Sequence, residues 1–379
     1  MAEPIRKQMH KRILCLDLVR LFSCLCVVVV HFNASVSVYD NGLFLYPNSI
    51  TPNYYLDGRV YLGQIGVNLF FILSGAAQML TYQAGDVRGY YKKRFLSIFP
   101  MFWIAFATVT AIDFLISKAF PSSNPLLLAY SFVGMDGYMS VMGLMGGQFY
   151  KVGEWFLGCI LLLYVFFPLL HTGIKKTPVL TAVAAVGIYV LFSPSAGVIR
   201  SKGFEFYLML PEIVFGMLFA EFKLWEGKKA LWLFFASAVL LAAAILLKDA
   251  ISYLTLSNAL CLMLFSLITL LSRFIQNEKW IALISRSSIL TYPIFLVHHR
   301  VIDYLARLYS LPELTRKDVW LLLLIYAAIT LAASWILEKA GRYVLKSGVL
   351  TGKAANVLWT AVLIGIIALP IVSIVHHFI

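Results

Sequence analysis

Apolar runs of about 20 residues recur from Ile13 to the C-terminus, and no other feature limits so strongly what the chain can fold into. Each run is long enough to cross the hydrocarbon core of a bilayer as a helix. In that medium only helices and closed barrels satisfy every backbone donor and acceptor internally. Eleven candidate spans lie near residues 13–33, 61–82, 97–117, 152–171, 178–194, 204–222, 230–247, 252–272, 287–306, 318–338 and 355–377. Charged residues make up 13% of the chain, about half the share of a soluble domain. The expected fold class is all-α: a polytopic transmembrane helical bundle of ten or eleven spans, forming one integral membrane domain over 1–379. The first run is too long for a signal-peptide core and no small-residue cleavage site follows it, so it is expected to be a retained span.

The formal net charge of +13 would suggest nucleic acid in a soluble chain, but here it is read by side of the membrane. With the N-terminus in the cytoplasm, 20 of the 31 Lys and Arg fall on the cytoplasmic side and nine on the outside, with Arg20 and Arg300 inside spans. That excess follows the positive-inside rule, so the charge is expected to reflect topology and no nucleic-acid partner. The five cysteines all fall in or beside apolar runs, without the spacing of a zinc site or a disulfide framework. Core packing is the expectation for them, and no metal is expected. No internal repeat is evident. Residues 118–151, apolar but punctuated by Gly and Asp136, make a poor spanning helix. They read either as a re-entrant cover over a site or as a loop on the headgroups.

Within the first span, Asp17, Arg20 and His31 interrupt an otherwise apolar segment. At about 100° per residue, Arg20 and His31 lie within about 20° of one another on one face, about 16 Å apart along the axis. Asp17 is three residues from Arg20 and within pairing reach. Ionisable groups inside a membrane usually face the bundle interior or a wet cavity and mark a functional path. The bland alternative is a buried salt bridge plus an interfacial histidine.

The segment "LDLVRLFSCLCVVVVHF" resembles the opening helix of the membrane acyltransferase-3 family, with its Arg, ten residues, then His. "GVNLFFILSG" (66–75), "YYKKRFLSIFPMFW" (90–103), "WFLGCILLLYVFFPLL" (155–170) and "SRSSILTYPIFLVHH" (285–299) are similar, in order, to later helices of that family. The fourth looks like the subgroup containing capsule and exopolysaccharide O-acetyltransferases. The resemblance implies transfer of an acyl group, usually acetyl, from cytoplasmic acyl-coenzyme A to a hydroxyl of an extracytoplasmic or lipid-linked glycan. It implies a multi-pass protein of the bacterial cytoplasmic membrane, working in cell-envelope polysaccharide O-acetylation. His31 is then expected to be general base or acyl carrier, with Asp17 holding Arg20 against donor or developing charge. Lys92, Lys93, Arg94 and Ser74 are expected on the acetyl-CoA side. Asn68, Glu154, Trp155, Glu212, Tyr292 and His298 are expected on the acceptor side, with a Glu212–Arg300 salt bridge as the duller account of Glu212.

The chain departs from the family pattern in four places. Asn68 stands where many relatives carry Asp, and the second arginine before "IFP" is missing. The positions after Trp155 are apolar (Cys159, Ile160, Leu161), so the fourth helix is not expected to furnish a Glu base. The sequence ends at Ile379 without the appended hydrolase-like domain of some relatives, so acceptor choice is expected from the membrane domain and its outer loops. The competing class is a transporter or flippase for a lipid-linked sugar, with Arg20, His31 and Glu212 lining the path. The lack of repeated halves and paired broken helices speaks against it.

Overall fold

The apolar runs form helices in the computed structural model, which describes residues 13–40, 43–45, 49–118, 127–145, 152–193, 203–309, 314–350 and 352–378. The basic residues 6–12 of the orientation count lie outside the described residues. The helices are α1 (Leu14–Ser35), α2 (Leu62–Thr81), α3 (Val87–Ser117), α4 (Leu128–Phe132), α5 (Asp136–Val141), α6 (Glu154–Lys176) and α7 (Pro178–Phe192). They continue as α8 (Leu210–Glu221), α9 (Gly227–Leu246), α10 (Tyr253–Ser272), α11 (Glu278–Ser287), α12 (Thr291–Ala306), α13 (Arg316–Lys346) and α14 (Gly352–Phe378). Two small antiparallel hairpins, Val38–Asp40 with Leu43–Leu45 and Tyr54–Tyr55 with Val60–Tyr61, lie between α1 and α2. Among the described residues, nine helical stretches are long and apolar enough to cross a membrane, α11 and α12 counting as one through a 3₁₀ turn at Ser288–Leu290. The protein is an all-α, multi-pass membrane bundle.

Two of the eleven expected spans differ. The run at 178–194 yields the 15-residue α7, and that at 204–222 divides into a 3₁₀ turn (Phe206–Met209) and the 12-residue α8. Pro211 accounts for the division, because it lacks an N–H and is tolerated only in a helix's first turn. At 1.5 Å per residue α8 is about 18 Å long, too short to cross alone. Outside the core, Trp232, Phe235 and Val239 of α9 stay exposed, as lipid-facing side chains must.

Lipid tails are as apolar as the side chains, so helix association depends on close packing of small residues. The α2–α8 contact is the most extensive in the bundle and is built this way. A Cβ added at Gly75 would overlap the Ile213 carbonyl oxygen, and one at Gly216 that of Ile72. Gly66 of α2 likewise sits against the Ser23 carbonyl of α1, at 2.8 Å from a would-be Cβ. Gly216→Ala is therefore expected to push α2 and α8 apart at a cost of about 1–3 kcal/mol, read as a lower unfolding midpoint in detergent. Gly187→Ala, with nothing within 4 Å, is the neutral control.

Residues 127–145 are not laid over the surface. Ser131, Met135, Tyr138 and Met139 are buried against the bundle, and Gly158 of α6 lets Tyr138 approach, its would-be Cβ 2.5 Å from that side chain. Asp136 caps this turn, accepting from Ser131 Oγ (2.6 Å) and the Gly137 N–H (2.8 Å). This packed cover fixes the start of α6.

Candidate active site

Four elements converge at one end of the bundle. The C-terminal end of α1 is tied down by Asn33, whose amide donates to Asn53 Oδ1 (2.8 Å) and the Thr51 carbonyl (3.1 Å) and accepts from the Ile50 N–H (3.1 Å). His31 lies two residues earlier. The start of α6 follows Gly153 at φ +95°, and Glu154 itself sits at φ +40°, a left-handed conformation that costs a non-glycine residue about 1–3 kcal/mol. The cover holds it there: a Cβ on Gly137 would come within 2.7 Å of the Glu154 carbonyl carbon. The strain aims the Glu154 carboxylate into the bundle.

That carboxylate is the hub of three histidines. Its Oε2 lies 3.4 Å from His31 Nε2, and its Oε1 lies 3.0 Å from His299 Nδ1 and 4.0 Å from His298 Nε2. The His31 ring centroid is 5.0 Å from that of His298 and 4.7 Å from that of His299. His299 also approaches Asp303 (3.8 Å), which pairs with Arg300 (3.2 Å). His298 is fully buried, its Nδ1 3.0 Å from the carbonyls of Ile294 and Phe295. Carbonyls only accept, so Nδ1 carries the proton and Nε2 presents a lone pair. That lone pair has no hydrogen-bond partner among the described residues. His31, Glu154 and His299 also bring ligand atoms within 4.8 Å of one another, close enough to hold a metal ion.

The cluster opens on a cavity of about 440 Å³, lined by His31, Glu154, Trp155, Arg59, Tyr253 and Phe204 among others. Trp155 stands edge-on to Phe204, centroids 5.0 Å apart. Lys248 donates to Asp57 (2.7 Å) and Arg59 pairs with Asp249 (2.6 Å), clamping the Tyr54–Tyr61 hairpin to the end of α9 beside this mouth. Outside the spans, this Lys248 contact holds the Asp57 carboxyl below its usual range and raises the Lys248 ammonium.

A second cavity of about 350 Å³ lies towards the other end, lined by Arg20, Ser74, Gln78, Arg94, Tyr164 and Tyr292 among others. Asp17 holds Arg20 there (2.9 Å) while accepting from Ser285 Oγ (2.9 Å) and Ser288 Oγ (2.7 Å). Arg94 rests over the Tyr90 ring, 5.9 Å from its centroid, and its Nε has no hydrogen-bond partner among the described residues. Arg94 also lines a smaller cavity of about 120 Å³ shared with Lys93. Cavities thus follow one another from Lys93 through Arg94 and Arg20 to His31.

The sequence-derived residues divide between these places. His31, Glu154 and Trp155 meet at the larger cavity, with His298 behind it. Arg20, Ser74, Arg94 and Tyr292 meet at the second, and Lys93 at its entrance; Lys92 lines none of the three cavities. Asn68 and Glu212 line none of these three cavities and instead belong to a buried chain behind the larger one. Gln64 donates to Asn68 (2.5 Å), Asn68 donates to Asn258 (2.5 Å), and Asn258 hydrogen-bonds Glu212. Arg300 lies against Asp303, so its expected bridge to Glu212 is replaced by these contacts. α6 brings a carboxylate to the histidines from Glu154, ahead of Trp155 rather than from the apolar positions after it. His299 and Asp303 were not singled out from sequence; the His-His-Arg run at 298–300 was the available signal.

A partly buried carboxylate thus meets three histidines at the end of a series of cavities lined with arginine, inside a multi-pass membrane bundle. The family model described as an acyltransferase domain matches residues 13–339, and the chain belongs to that acyltransferase-3 family. No curated protein and no solved structure matches it.

Proposed function

We propose that this membrane acyltransferase moves an acetyl group from acetyl-CoA, bound at the Arg94 end, to a hydroxyl of a glycan or lipid-linked glycan entering beside His31 and Trp155. The observation that carries this reading is the pairing of His31 with Glu154 at one end of a cavity series whose other end holds Arg20 and Arg94. Guanidinium groups suit the phosphates of coenzyme A. The aromatic rim with Arg59 suits the alternating apolar and hydroxylated faces of a sugar. By the positive-inside count, the donor end faces the cytoplasm of a bacterial cell and the acceptor end faces out.

With Nε2 turned to Glu154, His31 Nδ1 takes the acceptor's hydroxyl proton as that oxygen attacks the thioester carbon. The carbonyl–sulfur bond breaks, an ester forms, and the imidazolium returns its proton to the departing thiolate, giving free coenzyme A. Glu154 holds the imidazole in register and offsets its charge. His298, buried behind the cavity, packs its ring against His31 and turns Nε2 towards Glu154.

Arg94→Ala is expected to raise the KM for acetyl-CoA about tenfold to a hundredfold, the loss of one charge-assisted contact, with kcat little changed. The check is coenzyme A thiol release by membranes that contain the protein and its glycan acceptor. An unchanged KM would remove Arg94 from the donor site. Coenzyme A binding with no acyl release on any acceptor would favour a carrier.

A further inference from the structure

The only described residues shared by the two large cavities are Phe70, Phe156 and Phe295. They come from three different helices, α2, α6 and α12, and each stands where its helix changes cavity. On α2, Gln64 lies on the His31 side of Phe70 and Ser74 on the Arg20 side. On α6, Glu154 precedes Phe156 and Ile160 follows it; on α12, Tyr292 precedes Phe295 and His298 follows it. The rings touch in sequence, with Phe156 in the middle: its centroid is 5.9 Å from Phe70, tilted, and 5.5 Å from Phe295, edge to face. Phe71 packs on Phe156 as well, at 5.0 Å. Each of the three is only partly buried because it borders space on both sides.

We infer that Phe70, Phe156 and Phe295 form an aromatic partition that the acyl group must displace to reach His31, and that this partition sets the length of acyl group transferred. The inference rests on the acyl-transfer reading above and adds its selectivity filter. Arg94 and Arg20, which would hold the donor, line one cavity, and His31 with Glu154 lines the other, so the thioester reaches the base only past these rings. The cavities themselves, about 350 and 440 Å³, hold far more than an acetyl group, so any limit on acyl length falls to the rings between them. A closed partition also keeps water on the His31 side away from a waiting thioester, which hydrolysis would waste. The bonds made and broken are those of the transfer already described.

Two readouts test this on the full-length protein. The first is thiol release from acetyl-CoA and butyryl-CoA by the full-length protein in native membranes, which supply the glycan acceptor. Phe156→Ala is expected to raise the butyryl-to-acetyl ratio of kcat/KM at least about tenfold, since discrimination by methylenes runs from about tenfold upwards. The milder Phe156→Leu and Phe70→Leu are expected to move the same way by less, and they decide the matter if the alanine variant does not fold. The second readout uses sealed vesicles and a membrane-impermeant maleimide. The native cysteines are all buried, so an introduced cysteine reports alone. Ser74→Cys is expected to label only from the Arg94 side in the parent, and from both sides once Phe156→Ala is added. An unchanged acyl ratio in all three variants would overturn the selectivity claim, and unchanged sidedness of labelling would overturn the partition. If the parent released thiol from neither thioester, the acyl-transfer reading and the selectivity built on it would fall, while the labelling would still decide the partition.

Discussion

Acyl transfer by the His31→Ala variant is expected to fall by about a hundredfold to ten-thousandfold, the usual contribution of a positioned general base. The fall should appear in kcat and leave the KM for acetyl-CoA nearly untouched, because the candidate donor-binding arginines line a different cavity. His31 borders open space, with 23% of its side chain exposed, so its truncation removes little packing and the variant should remain folded in the membrane. Glu154→Gln is the companion test. It keeps the shape and a hydrogen-bond acceptor for His31 but removes the charge that offsets an imidazolium, so a smaller loss in the same parameter is expected. Activity at the parental level in His31→Ala would end the role assigned to that residue.

The second large effect is structural. Asp17→Ala is expected to destabilise the protein by about 2–4 kcal/mol, somewhat less than removal of one partner from a fully buried ion pair. Asp17 is 3% exposed and accepts from Arg20, Ser285 and Ser288 together. Truncating it withdraws the shared acceptor from a cation and two hydroxyls at the junction of α1 with α11 and the following turn. Arg20 keeps 29% exposure, and solvent there softens the loss. The unfolding midpoint should drop, and the KM for donor should rise as Arg20 loses its anchor. Asp17→Asn, which keeps one carbonyl acceptor, should do less of both. A midpoint equal to the parent's would show that these contacts are dispensable.

What could be read from the chain alone follows from how local each signal is. An apolar run of 20 residues carries its own reason to be helical in a membrane, so the helices and the bundle were legible. The Arg20–His31 face is a property of one helix and follows from 100° arithmetic. The division of the run at 206–221 was not, because hydropathy does not register that Pro211 opens a new helix. Glu154 was legible as a polar residue at a helix start but not as a hub. Its role depends on a strained backbone at φ +40°, a glycine in another segment, and histidines from two other helices. Asn68 and Glu212 were legible as polar residues inside spans, but their linkage through Asn258, which comes from a third helix, was not. Phe70, Phe156 and Phe295 carried no signal at all, since a phenylalanine in an apolar helix looks the same whether it packs, faces lipid or divides two cavities.

In the proposed mechanism an acyl group passes from a donor at the Arg94 end to an acceptor at the His31 end. The direct measurement uses sealed inside-out membrane vesicles from cells producing the protein, given acetyl-CoA labelled in its acetyl group on the outside only. Labelled acetate should appear in base-labile ester linkage on lumenal glycan while the coenzyme A thiol stays outside, and both should be lost in His31→Ala. Label that never enters the lumen, or that enters equally with His31→Ala, would contradict it.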